Sequence, residues 1–252
     1  MQEIIDSAKP DIIIGTETWL DNTILSTEFF PTHMINVFRK DRPPNNKIKS
    51  HGDVLLAITK DFIRSEVKEL QTNCEIVWAE LNITRTKQIL VGSYYWPPSD
   101  EGTSLEQLEI SLSKVNNITS SHLWLGGDYN LGHIDWSVPS LITGKPDARH
   151  HQHLLDITSD HSLHQMTDIP TRNDRVLDIF LVKNPTNINK LATLPPIGLT
   201  DHDIVYIELD TWLTRLRETP RKIMRYDNAN WENIRTDLND TMRTIKDKCT
   251  SC

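Results

Sequence analysis

The sequence predicts an α/β fold, a four-layer sandwich in which two mixed β-sheets pack together and helices cover their outer faces. Two observations favour this architecture. Short, apolar β-runs recur along most of the 252-residue chain, and amphipathic helical segments separate only some of them. Consecutive strands without an intervening helix pair antiparallel, which argues against a doubly wound parallel sheet. No internal repeat is visible.

Most of the predicted strands are short apolar runs bounded by turn residues. The first, "DIIIGTETWL", follows a Lys-Pro stop and is rich in isoleucine, so we expect a buried strand that ends near Glu17. The polar segment "TRTK" between two later runs predicts a hairpin. The runs assigned to strands are 11–20, 34–40, 53–59, 75–83, 88–96, 122–127, 176–182 and 203–209.

Four segments have the periodicity of helices. The N-terminal "MQEIIDSAKP" is acidic and amphipathic, so it predicts a helix and not a signal peptide. The second segment has leucine and valine at helical spacing, with Ser104 as the expected N-cap. We assign residues 1–210 to one domain and residues 211–252 to a linker and helical tail. The predicted helices are 1–10, 104–118, 147–163 and 230–248.

Composition and charge place the chain among ordinary globular proteins. Hydrophobic residues make up 37% of the chain and charged residues 25%, which argues against disorder. The net charge of -8 excludes a basic nucleic-acid coat, although the basic segments 38–42 and 215–222 could contact phosphate groups or form solvated faces. No apolar run approaches the length of a membrane span.

The cysteines indicate a reducing setting. Cys74, Cys249 and Cys252 are odd in number, and two of them lie at the end of the sequence, so they do not form a disulfide framework. Cys249 and Cys252 have Cys-x-x-Cys spacing, but no second pair accompanies them. We therefore interpret them as unpaired thiols and not as metal ligands.

Polar side chains lie at the ends of several predicted strands. A single acid at a strand end is usually a cap or a turn residue, but several at one sheet edge converge where active sites form. Carboxylates are hard oxygen ligands for Mg²⁺, and a histidine or asparagine can hold phosphate oxygens. The residues concerned are Glu17, Asp128, Asn130, Asp178, Asp201 and His202.

The stretch "LWLGGDYN" (123–130) is the most informative of these strand ends. Its apolar run enters Gly126 and Gly127, which lack a Cβ and are expected to let the backbone turn and approach a substrate. Asp128 and Asn130 are two residues apart in extended chain, so their side chains should point to the same side. We expect Asp128 to be an exposed acid in this turn.

Five motifs occur in order along the chain: "TET", "YYWPP", "GGDYN", "VLDIFLV" and "LTDHD". Together they resemble the motifs of the exonuclease–endonuclease–phosphatase superfamily, and most closely those of the apurinic-type endonuclease domain of non-LTR retrotransposons. The resemblance covers residues 1–210, and the tail resembles the linker toward a reverse transcriptase in such elements. It implies a Mg²⁺-dependent endonuclease, with Mn²⁺ as an alternative ion, that hydrolyses DNA phosphodiester bonds.

The resemblance also implies a role for each residue that matches a motif. Glu17 is expected to bind the metal ion, and Tyr95 is expected to touch the scissile phosphate. Asp128 is expected to activate the attacking water, while Asn130 orients substrate and water.

The later motifs complete this expected set. Asp178 should pair with His202, which would hydrogen-bond the phosphate as negative charge builds up. Asp201 is expected near the metal ion. Thr171 and Arg172, in the loop before the strand of Asp178, are expected to contact DNA.

Three positions depart from the family pattern. Trp96 follows the motif tyrosine where the family has arginine, and we interpret it as a core or surface aromatic, with base stacking as the alternative. His51, Gly52 and Asp53 stand where glycines usually precede the third strand. The family's first strand should precede "MQEIIDSAKP", so we expect an N-terminally truncated domain with impaired activity.

Two other functions stay open on the sequence. One is a phosphatase of the same superfamily that acts on lipid or inositol phosphates, and the other is a catalytically dead remnant that only binds nucleic acid. A zinc site at His150 and His153, three apart in a predicted helix, is an alternative to a solvated or DNA-facing stretch. We expect a monomer that binds DNA, in the nucleus or cytoplasm, without membrane association.

Overall fold

The computed structural model describes residues 2–21, 23–31, 35–41, 52–81, 89–116, 122–184, 188–198, 200–209 and 229–249. This part of the chain contains thirteen β-strands and four α-helices. The helices are α1 (Gln2–Ala8), α2 (Thr103–Asn116), α3 (Ala148–Asp160) and α4 (Trp231–Cys249). The strands are β1 (Ile12–Thr16), β2 (Ile35–Lys40), β3 (Val54–Thr59), β4 (Ile63–Glu66), β5 (Glu75–Leu81), β6 (Ile89–Tyr95), β7 (His122–Asp128), β8 (Ile134–Asp135), β9 (Ser140–Leu141), β10 (His164–Gln165), β11 (Asp178–Val182), β12 (Ile188–Leu194) and β13 (Ile204–Leu209).

A six-stranded mixed sheet is the centre of the first unit, which covers residues 1–213. Its strand order is β10-β11-β7-β6-β5-β4, and every neighbouring pair is antiparallel except β6 and β7. A smaller antiparallel sheet has the order β1-β3-β2, and two hairpins, β12-β13 and β8-β9, complete the strands. The predicted packing of two sheets is confirmed, although the described strands of the smaller sheet are all antiparallel and not mixed.

Three apolar clusters fill the spaces between four layers, because side chains alternate across each strand. In β6, Leu90 and Tyr94 join the cluster that includes α2 and α3, whereas Val91 and Tyr95 join the cluster between the two sheets. Leu55 of β3 belongs to a third cluster, which also contains Ile5 of α1. The layers are therefore α2 with α3, the larger sheet, the smaller sheet, and α1, as the sequence predicted.

The two glycines of β7 do not make the turn that the sequence led us to expect. The strand continues through both of them to Asp128. A Cβ at Gly126 would lie 2.7 Å from Cδ1 of Ile14 in β1, and a Cβ at Gly127 would lie 1.8 Å from the carbonyl oxygen of Tyr94. These glycines therefore let β7 approach its neighbours closely, which is a packing role and not a turn.

Local capping also differs from the expectation at helix α2. Ser104 lies inside the helix, where its buried hydroxyl is 3.0 Å from the hydroxyl of Tyr94. The carboxylate of Asp100 instead accepts hydrogen bonds from the amides of Gly102 and Ser104. The side chain of Asp100, four residues before Ser104, therefore accepts the hydrogen bonds of free amides at the start of α2. None of the predicted strand runs covers β4, β8, β9, β10 or β12, and the predicted "TRTK" turn lies outside the described residues.

In the basic segment 38–42, Arg39 contacts other residues of the first unit. Arg39 forms an ion pair with Asp41 at 2.8 Å and donates to the backbone carbonyls of Asp21 and Ile24. Segment 215–222 lies outside the described residues. Cys74 is a buried free thiol.

The second unit, residues 214–252, contains helix α4. Its predicted bounds are confirmed to within a residue. Among the described residues, no helix is both long enough and apolar enough to cross a lipid bilayer.

Replacing Gly127 by alanine should destabilise the protein far more than the same change at Gly144. Gly127 has φ +149° and would place a Cβ on the Tyr94 carbonyl, whereas Gly144 has φ +74° with nothing within 4 Å. We expect Gly127→Ala to lower the free energy of unfolding by about 3–5 kcal/mol. Gly144→Ala should lower it by about 1–2 kcal/mol. Urea unfolding measures both, and equal losses would contradict the close approach of β7 to β6.

Candidate active site

Three of the predicted site residues form one row across the larger sheet. Tyr95, the last residue of β6, lies opposite Asp128 in β7, and Asp128 lies opposite Asp178 in β11. Directly opposed residues point to the same face, and Tyr95 belongs to the cluster between the sheets. We call these three residues the polar row. It lies at one end of the sheet, on the face toward β1.

His202 joins the polar row from the loop before β13. Its Nδ1 is 2.8 Å from Oδ2 of Asp178, so the pair that the sequence predicted across 24 residues is present. The hydrogen bond with Asp178 raises the pKa of His202 above 6.5, although partial burial opposes this shift. Because Asp178 engages Nδ1, the Nε2 atom remains available to a ligand.

Asp128 is buried, in contrast to the exposed acid that the sequence led us to expect. Only 3% of the residue is accessible, because it ends β7 between Tyr95 and Asp178 and is not part of a turn. Burial, followed by repulsion from Asp178, raises the pKa of Asp128 from 3.8 to about 7. A carboxyl group with this pKa exchanges a proton readily near neutral pH.

Asn130 lies beside Asp128, as its spacing predicted. Its backbone amide donates to Oδ1 of Asp128 at 2.9 Å, and its side-chain amide donates to Oδ2 at 2.9 Å. The same side chain donates to the carbonyl oxygen of Trp96 at 3.1 Å. The backbone reaches this arrangement through a left-handed conformation at Asn130, with φ +50°. The ring of Trp96 is buried in the core, so it does not offer a face to a base.

Glu17 approaches the polar row from the smaller sheet. It is an exposed residue directly after β1, and its carboxylate accepts a hydrogen bond from the hydroxyl of Tyr95. Burial and this bond both raise the pKa of Tyr95 above its usual value of 10, so the phenol stays protonated. Below the pair, the buried hydroxyl of Ser93 donates to the carbonyl of Gly15 at 3.1 Å and joins β6 to β1.

Asp201, Arg172 and Thr171 lie at the edge of the site. Asp201 is exposed and forms an ion pair with Arg172 at 2.5 Å. Thr171 is 1% accessible, and its hydroxyl accepts hydrogen bonds from backbone amides, so the structure places it beneath the surface. The roles expected for these residues stay predictions.

One group of side chains in the described part of the chain could hold a metal ion. Asp128, Asp178 and His202 each offer one ligand atom, and these atoms lie within 4.8 Å of one another. Glu17, the predicted metal ligand, is joined to this group through Tyr95. A divalent cation fits this donor set, because it would neutralise the crowded carboxylates that raise the pKa of Asp128.

The histidine-rich segment does not form a second group of this kind among the described residues. Nε2 of His153 lies 3.4 Å from Oε2 of Glu109, and the ring of His150 packs on Trp96 with centroids 5.6 Å apart. The structure therefore gives no support to the zinc alternative.

Two residues near the site, Ser93 and Glu75, were not predicted from the sequence. Ser93 was hidden in the apolar run "QILVGSYYW", where a lone polar residue inside a strand could have drawn attention. Glu75 lies opposite Tyr95 in β5 and extends the row by one strand. Its carboxylate accepts a hydrogen bond from the amide of Asp53 at 2.7 Å. The position of Glu75 beside the polar row follows from the register of β5 on β6, which the sequence does not show.

Several solved structures share this fold. The endonuclease domain of TRAS1, a telomere-specific non-LTR retrotransposon, is 18% identical, with 86% of this chain and 91% of that chain covered and a TM-score of 0.59. The AP endonuclease LMAP from Leishmania major is 11% identical, with 81% and 80% covered and a TM-score of 0.59. The 3′ phosphatase NExo from Neisseria, bound to a product DNA hairpin, is 14% identical, with 83% and 92% covered and a TM-score of 0.54.

The packed sheets define the class of fold, which the chain shares with these endonucleases and with the 3′ phosphatase. Residues 89–206 match the family described as endonuclease-reverse transcriptase. The chain is therefore similar to endonuclease-reverse transcriptases over these residues and shares its fold with a retrotransposon endonuclease domain. No curated protein sequence matches the chain significantly.

Burial of Asp128 should make the protein less stable as pH rises. Between the unfolded pKa of about 4 and the folded pKa of about 7, the folded state holds the extra proton, so unfolding becomes easier as pH increases. Asp128→Asn removes this penalty. Its stability relative to wild type should therefore rise by on the order of 2–3 kcal/mol between about pH 5 and about pH 8. Urea unfolding without divalent cations tests this, and a pH-independent difference would contradict the raised pKa.

The Asp178–His202 pair should also lose its stabilising effect as pH rises. The pKa of His202 is raised by its partner, so the contribution is full below 6.5 and fades as pH rises through the folded pKa. In Asp178→Asn, the pKa of His202 should fall, as followed by NMR titration of the imidazole. Asp174→Asn changes an exposed aspartate in the neighbouring turn and should leave that pKa unchanged. Equal pKa values in wild type and Asp178→Asn would refute the pairing.

Proposed function

We propose that this protein is a Mg²⁺-dependent endonuclease that hydrolyses phosphodiester bonds in DNA. The observation that carries the proposal is the polar row, in which a buried carboxyl with a pKa of about 7 lies beside a charged His–Asp pair. The relation to retrotransposon endonucleases supports DNA as the substrate. Mn²⁺ could replace Mg²⁺, because both accept carboxylate oxygen ligands.

In the proposed reaction, Asp128 takes a proton from the attacking water. A general base works best when its pKa is near the working pH, and burial places Asp128 in that range. Asn130 is held by Asp128 and by the carbonyl of Trp96, so its amide has a fixed direction. That fixed amide would orient the water toward the phosphorus atom.

His202 would stabilise the negative charge that builds up on the phosphate. Asp178 favours the charged imidazole and fixes its orientation, so that Nε2 can donate to a non-bridging oxygen. Tyr95 stays protonated and can donate a second hydrogen bond to the phosphate once its bond with Glu17 is exchanged.

Glu17 would hold the metal ion, with Asp201 near the rim, and the ion would lie next to the carboxylates of the polar row. When bound, the ion neutralises phosphate charge and assists the leaving oxygen. The chain itself supplies the base, the orienting amide and the charged imidazole.

A phosphatase is the second candidate, because one structure with this fold is described as a 3′ phosphatase. The same residues could attack a terminal phosphate monoester. Cleavage of a 3′-phosphorylated oligonucleotide or an inositol phosphate, compared with nicking of supercoiled plasmid, separates the two activities. A protein that only binds nucleic acid would bind the plasmid but would not nick it.

The nuclease proposal predicts Mg²⁺-dependent nicking of supercoiled plasmid that Asp128→Asn removes. Loss of a general base should lower the rate by about two to four orders of magnitude. Asp156→Asn, which changes an exposed aspartate of α3, should keep wild-type activity. Nicking that persists in EDTA, or in Asp128→Asn, would overturn the assignment.

A further inference from the structure

Thr171 occupies a junction between the two segments that supply Asp178 and His202. Asp178 begins β11 in the larger sheet, whereas His202 precedes β13, which pairs with β12 in a separate hairpin. The two side chains therefore come from parts of the chain that share no strand ladder among the described residues. Contacts other than strand pairing must therefore hold the Asp178 and His202 side chains next to each other.

The hydroxyl of Thr171 fixes the start of β11. It accepts hydrogen bonds from the amide of Leu177 at 3.3 Å and from the amide of Asp178 at 3.2 Å. Only 1% of Thr171 is accessible, so these amides are shielded from water. Buried amides are nearly always paired, and here one hydroxyl pairs two of them.

The backbone of Thr171 fixes the other segment. Its carbonyl accepts a hydrogen bond at 2.8 Å from the amide of Asp203, the residue that follows His202. Its own amide donates to the carbonyl of Arg175 at 2.9 Å, which closes the turn that carries Arg172. One buried residue thus connects the Asp178 strand, the His202 loop and the Arg172 turn.

We propose that Thr171 is a positioning residue, whose hydroxyl and carbonyl hold Asp178 and His202 at hydrogen-bonding distance for the reaction. This inference rests on the proposed nuclease function. It differs from the DNA contact that the sequence suggested, since it assigns the hydroxyl to the amides of Leu177 and Asp178. The consequence would be a change in the chemical step and not in binding of the DNA.

Thr171→Val tests the hydroxyl, because valine keeps the shape of threonine and leaves both amides without an acceptor. Thr171→Ser keeps the hydroxyl and should retain the wild-type kcat. Misplacement of a reacting group typically costs about 10- to 100-fold in rate, so Thr171→Val should lose about that much kcat with little change in KM. The probe is supercoiled plasmid with Mg²⁺, cleaved by the full chain.

A matched control separates positioning from general stability. Thr158 of α3 is also buried, and its hydroxyl donates to the carbonyl of Leu155 at 2.8 Å, in the layer on the opposite face of the sheet. Thr158→Val should lose stability but keep kcat. An equal loss of kcat in both valine variants would reduce Thr171 to a structural role. A raised KM with unchanged kcat would instead make it a DNA contact, and would overturn the proposal.

Amide hydrogen exchange keeps the test independent of activity. In Thr171→Val, the amides of Asp178 and Asp203 should both lose protection, while those of β5 and β6 keep it. Loss at Asp203 is the decisive signal, since valine retains the carbonyl that accepts this bond. If the wild-type chain does not nick DNA, the nuclease proposal fails, but exchange still decides whether Thr171 joins the two segments. Unchanged protection at Asp203 would contradict the inference.

Discussion

The register of β6, β7 and β11 is the constraint on which the site depends. Tyr95, Asp128 and Asp178 meet because they occupy opposed positions on three neighbouring strands. A slip of one residue in any strand would turn its side chain to the opposite face of the sheet. The row would then be broken, and a carboxylate would be placed in the helix-facing core. The site is therefore specified by strand pairing before any catalytic side chain is considered.

This register has an electrostatic consequence that connects stability with chemistry. It buries Asp128 and places it beside Asp178, so the folded state is less stable whenever Asp128 is ionised. His202 offsets part of that cost, because its positive charge faces both carboxylates. The same arrangement provides a carboxyl group whose pKa lies near neutral pH and an imidazole whose charged form is favoured. Sites that carry such strain are expected where function, and not packing, has selected the residues.

The sequence was informative where a pattern is local and less so where long-range packing decides. Strand and helix positions followed from periodicity, and Asn130 could be placed beside Asp128 from spacing alone. The role of Gly126 and Gly127 could not, because a glycine needed for a turn and one needed for close packing are identical in a sequence. Burial of Asp128 depends on β1 lying over β7, and the Arg172–Asp201 ion pair depends on two distant loops. Neither relation leaves a local signal.

The pH dependence of plasmid nicking tests most directly whether the polar row is an acid–base site. Initial rates of the full chain would be measured from about pH 5 to about pH 9 at saturating Mg²⁺. The rate should rise as Asp128 loses its proton and fall as His202 loses its own, which gives a bell-shaped pH–rate profile. Because Asp128 and His202 interact, the two apparent pKa values belong to the pair and not to either residue alone. Bound Mg²⁺ should move the acidic limb below the metal-free pKa of about 7. A rate that stays flat across this range would show that the row does not carry the reaction.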